Sequence, residues 1–130
     1  MTFTMPPLNA SGAPSTVTVI GSPVTAQLDT NGNPIPSKAT LSNAVYTSSD
    51  STVFTVAADP ATPNGAILTA VANPPAGTTA SATLTETATA TEPDGTTTEV
   101  ITGVATVILS APVVPPAPAA ALVFTFGTPA

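Results

Sequence analysis

Val45–Ala72 reads VYTSSDSTVFTVAADPATPNGAILTAVA, and this stretch decides the fold class. A short aromatic run around Tyr46 leads into a corner at Asp50 and Ser51, residue types whose side chains bond to nearby backbone and end a strand. Thr52–Ala58 follows as a second β-prone run in which alternation puts Phe54, Val56 and Ala58 on one face and Val53 on the other. The DPATPNG segment is a loop by its Pro and Asn-Gly content, and Ala66–Ala72 is a third strand, apolar but for Thr69. Three short strands joined by turns of this kind predict a fragment of a β-sandwich.

Further strands lie on either side. Ser15–Ile20, STVTVI, alternates hydroxyl and apolar residues and places Val17 and Val19 on one face. Pro23–Asp29 reads as a second strand with Val24, Ala26 and Leu28 on one side, closed by the DTNGNP turn. Ile35–Asn43 has no period and is expected to cross between sheets. Thr79–Thr91 and Thr96–Ser110 form two long runs joined by EPDG, where Asp-Gly is a strong hairpin signal. Ala82, Leu84, Ala88 and Ala90 share a face of the first arm, interrupted by Glu86, so its distal half is expected to project past the core. Threonine fills the other face, which suits an antiparallel sheet with one wet side.

The chain has 130 residues, 16 Pro and 8 Gly, with 42% hydrophobic but only 6% charged residues. Much of the apolar share is alanine, so the core is expected to be thin, built from Tyr46, Val53, Phe54, Val56, Ile67, Leu84, Val104 and Ile108. Lacking cysteine, the chain has neither disulfide framework nor thiolate site. A formal net charge of -6 with a single Lys and no Arg removes the basic footprint that nucleic-acid binding needs, and with it polybasic attachment to a membrane. The start, MTFTMPPLNASG, has neither a basic region nor a continuous apolar run, so it does not read as a secretory signal.

Tyr46, Ser48 to Asp50, Val53, Val56, Gly65 and Ile67 to Ala72 follow one another in an order that resembles the second group of bacterial immunoglobulin-like domains. The resemblance implies an all-β fold, an immunoglobulin-like antiparallel β-sandwich over residues 15–110. It also implies burial of Val53 and Val56 together, with an irregularity between them. Outside that module the sequence predicts an amino-terminal arm over 1–14 and a Pro/Ala-rich carboxyl-terminal arm over 111–130. In the latter the tract from Ala111 to Ala121 reads as an extended spacer before the apolar LVFTF of Leu122–Phe126.

Reactive chemistry is sparse. Without His, Cys or Arg, the usual acid–base, thiol and phosphate-clamp groups are missing, and the expectation is a chain that is not an enzyme and uses no cofactor or metal. Glu86, Glu92, Asp94 and Glu99 are expected near the hairpin tip, where solvated carboxylates blunt edge pairing more readily than they form a catalytic pair. Asp29, Asn31 and Asn33 have the alternating oxygens of a calcium loop, but Thr40 stands where the closing Glu belongs, which favours a plain turn. Lys38 invites an isopeptide bond to Asn43 or Asn64, for which an exposed lysine is the simpler reading. The Asn9-Ala10-Ser11 sequon is read as chance.

Immunoglobulin-like modules of this kind occur on phage heads and tails, so the resemblance implies a virion structural protein. A capsid decoration, or cement, protein made in the host cytoplasm and held on the capsid surface is the first reading. Its expected partners are the major capsid protein, copies of itself, or both, with homo-oligomers allowed. The expected contacts are Phe3, Leu122, Val123, Phe124 and Phe126, apolar anchors on the two arms. The alternatives are a tail-tube or tail-fibre component, or a carbohydrate- or cell-surface-binding adhesion module. The last is disfavoured by the absence of Trp and the presence of one Tyr.

Overall fold

The structure is a computed structural model that describes residues 1–112 and 121–129. Among them every regular element is a strand: β1 (Thr2–Met5), β2 (Thr16–Ile20), β3 (Val24–Leu28), β4 (Pro34–Pro36), β5 (Thr40–Ser48), β6 (Phe54–Ala58), β7 (Gly65–Ala70), β8 (Thr79–Thr91) and β9 (Thr98–Ser110). One sheet runs β1-β9-β8-β5, a second β2-β7-β6, and β3 with β4 makes a separate two-stranded ribbon. Every pairing is antiparallel except that of β1 with β9.

Alternating side chains from the two larger sheets meet in a single buried cluster. Met5, Ala82, Leu84, Val107 and Leu109 come from the first sheet, and Phe54, Leu68 and Ala70 from the second. This arrangement is compatible with a β-sandwich. Across the β8–β9 pair large residues stand opposite small ones, Val107 beside Ala82 and Leu109 beside Ala80, while Leu84 faces Ala105. That alternation lets an alanine-rich strand pack against the large side chains of its neighbour. Complete burial of Phe54 contributes about 1.5–3 kcal/mol from transfer alone.

The corner before β6 resolves the ambiguity over Val53. The backbone N–H groups of Val53 and Phe54 both donate to the Asp50 carbonyl, and the Asp50 carboxylate accepts from the Thr52 N–H at 2.9 Å. Val53 therefore sits in the turn, ahead of the strand, and the change of backbone direction buries it together with Phe54, while Val56 packs against the same cluster. Alternation applies only from Phe54 onward.

The expected core differs in three positions. Leu68 is buried instead of Ile67, and Val107 and Leu109 instead of Val104 and Ile108; Val104 is 60% exposed. Each run sets two large apolar residues side by side, and the hydroxyls of Thr69, Thr106 and Ser110 mark the outward face. In β9, Val107 and Leu109 stand beside the inward Ala82 and Ala80 of β8, and a one-residue shift would exchange the faces.

The amino-terminal segment is likewise not a free arm. Thr2–Met5 pairs along Thr106–Leu109 of β9, Met5 is buried, and a bridge between Leu8 and Pro14 closes the following turn. TFTM alternates hydroxyl and apolar residues as STVTVI does, and the sheet edge beside β9 offers its backbone groups partners. The irregular crossing expected over Ile35–Asn43 contains β4 and the start of β5. Val24 and Leu28 are exposed in the β3–β4 ribbon, outside the main core. Of the Pro/Ala spacer expected over Ala111–Ala121, residues 113–120 lie outside the described residues.

Candidate functional site

The expected contact residues separate into two environments. Phe3 lies in β1, an edge strand, 40% exposed, where it borders an apolar hollow of about 180 Å³ between the sheets with Val17, Val19, Leu68 and Val107. Leu122, Val123, Phe124 and Phe126 lie in no strand and are 86%, 94%, 77% and 88% exposed. Leu122, Phe124 and Phe126 are spaced by two, so an extended backbone would carry all three on one face. These large apolar side chains are bare and belong to no core cluster among the described residues.

The acidic residues do not gather as expected. Glu92, Asp94 and Glu99 are at the hairpin tip, but Glu86 is inside, paired across β5 with Tyr46 and across β9 with Gly103. At the tip the Asp94 carboxylate accepts from the N–H groups of Thr96 and Thr97 and from the Thr97 hydroxyl. Those bonds, the Thr97 hydroxyl's first, hold its pKa down to about 2. Glu92 is raised, chiefly by its hydrogen bond with the Glu99 carboxyl, then by desolvation and by the charges of Glu99 and Asp94. The tip is an exposed turn.

Glu86 has a different setting. Tyr46 donates its phenol proton to the Asn64 carbonyl at 2.7 Å and accepts from the Gly21 N–H at 3.2 Å, tying the first sheet to the loops that flank β2 and β7. Burial raises the phenol above its ordinary 10.0, the Gly21 N–H opposes the shift, and the adjoining Glu86 adds to it. The Glu86 carboxylate presses against Gly21 so closely that a Cβ there would collide with Oε1. Its Oε2 is buried and has no hydrogen-bond partner among the described residues. Two adjoining depressions, about 390 Å³ each, open on either side, with Gly21, Ser22, Glu86 and Gly103 common to both. No family model, curated protein or solved structure matches the chain.

The remaining candidates are engaged in local structure. Asp29 accepts from the N–H groups of Asn31 and Asn33, each at 2.9 Å, and Gly32 takes φ +80°, so DTNGN is an Asx-stabilised turn. Asn64, itself at φ +60°, donates its side-chain amide to the Leu41 carbonyl, and Lys38 is exposed. Asn9 accepts from Ser11 and Ala13 and shapes the turn before Pro14.

The sequence puts Glu86 on the face of Leu84 and Ala88, where it lies, but its charge grouped it with the tip carboxylates although it sits mid-strand, opposite Tyr46 and Gly103.

Proposed function

We propose that the chain is a non-enzymatic structural module of a phage particle, an immunoglobulin-like domain that decorates the capsid surface and attaches through Leu122–Phe126. The reading rests on one observation above others: four large apolar side chains remain bare beyond a domain that has already assembled its core. Strand order supports the immunoglobulin-like assignment. If β1 is taken as a split first strand, β9, β8 and β5 correspond to the G, F and C strands, and β2, β7 and β6 to B, E and D.

The attachment chemistry would be strand addition. An extended Leu122–Phe126 offers backbone N–H and C=O groups to an open sheet edge on the capsid protein or on a second copy, with Phe124 and Phe126 as anchors. A stable contact needs about 1,000 Å² or more of buried surface, which the aromatic segment and a neighbouring face of the domain can supply together.

Mass-spectrometric quantification of the protein in purified virions, relative to the major capsid protein, tests the reading. A copy number comparable with that of the capsid protein is expected for decoration. A few copies per particle would place the module on the tail instead, and absence from particles would overturn the virion assignment.

A further inference from the structure

We propose that the cleft over Glu86 is a docking site for a cationic side chain, a lysine or arginine presented by a partner protein. The cleft is built from sequence choices that leave room at one level of the sandwich. Gly103 stands beside Glu86 on β9, in a row where neighbouring levels carry Ile101 and Ala105, and Gly21 lies against the carboxylate from the end of β2. A side chain at Gly21 would push the carboxylate from this place, because a Cβ there collides with Oε1.

A carboxylate oxygen withdrawn from water without a partner is costly, and the cost falls when a cation reaches it. Glu86 Oε2 is such an oxygen. Rotation about χ3, a soft torsion in glutamate, turns it toward either depression without disturbing the strand. Val24, Leu41, Ala88 and Ile101 line one depression, and Leu84 and Val104 border the other. Such walls suit the methylene stem of Lys or Arg, with the charged head meeting Glu86 at the base.

Charge complementarity points to a partner as the source. The chain carries a net charge of -6 and one lysine, so a surface that approaches it with basic side chains gains both the local pair and the longer-range attraction. Lys38 precedes β5 at Thr40, a position opposite Thr91 near the far end of β8 from Leu84, whereas Glu86 pairs with Tyr46 in the middle. The proposal does not depend on whether the partner is a capsid.

Amide chemical shifts of the full chain, followed during titration with N-acetyl-lysine methylamide and N-acetyl-arginine methylamide, test the site, with N-acetyl-norleucine methylamide as the uncharged analogue. Saturable shifts at Gly21, Glu86 and Gly103 are expected with at least one cation, the stronger response identifying lysine or arginine. Binding should weaken about tenfold or more in Glu86→Gln, equivalent to one charge-assisted hydrogen bond. Glu86→Leu should remain folded and also lose the response, separating loss of charge from loss of structure. Equal response to norleucine, undiminished titration of Glu86→Gln, or no shifts at Gly21 and Gly103 with either cation would each overturn the proposal.

Discussion

The two ends of the β8–β9 hairpin share strands, alternation and threonine-rich outer face, yet they do different things. Toward Ala80–Leu84 the inward row meets Val107 and Leu109 and enters the buried cluster with Phe54 and Leu68. Toward Glu86–Ala90 the row is alanine, glutamate and, across the pair, Gly103; Ala88 and Ala90 are buried, but the layer opens into the cleft. Side-chain volume makes the difference, since backbone pairing is continuous from Thr79 to Thr91. One end stabilises the domain, and the other leaves a recess that a partner can fill.

Substitutions should reproduce that division. Phe54→Ala, at a site with no exposure, is expected to cost about 3–5 kcal/mol in urea unfolding. A loss below 1 kcal/mol would mean that the two sheets do not share the core described. Tyr46→Phe removes the phenol that links Gly21 to Asn64 and should cost about 1–3 kcal/mol, near the boundary between the two ends.

Gly21→Ala probes the recess directly. The new methyl must push the Glu86 carboxylate aside, at a cost of about 1 kcal/mol that should vanish in a Glu86→Ala background. Additive effects in that cycle would separate Gly21 from Glu86. At the surface, Val104→Thr should change stability by no more than about 0.5 kcal/mol, because Val104 faces outward.

The smallest effect belongs to the hairpin tip. Asp94 is depressed from 3.8 to about 2 in the folded protein, so the unfolded chain binds its proton first as the solution is acidified. Its contribution is present above about pH 4 and is lost as pH falls toward 2. Asp94→Asn should flatten that part of the stability profile, as followed by urea midpoints at successive pH values; a profile unchanged by the substitution would remove Asp94 from the linkage.

How far these regions could be read in advance follows from the same contrast. Asp-Gly chemistry and long β-prone arms made the hairpin legible, and the Ser/Asp corner announced β6 but put its start at Thr52, two residues ahead of Phe54. Faces were harder where large apolar residues adjoin, as at Ile67/Leu68 and Ile108/Leu109, although the hydroxyls of Thr69, Thr106 and Ser110 mark the outward side. The strand over Thr2–Met5 was hidden by the prolines that follow it, although its alternation matched that of Thr16–Ile20. Phe124 and Phe126 were legible as unplaced aromatics, whereas the role of Glu86 required the positions of two glycines distant in sequence, Gly21 and Gly103.

Deletion of Leu122–Ala130 tests the central claim most directly, with thermal unfolding of the purified chain and incorporation into assembled particles measured on the same variant. An unchanged unfolding midpoint is expected, because residues 122–129 lie outside the buried cluster, together with loss of incorporation. Normal incorporation by the truncated protein would contradict attachment through this segment.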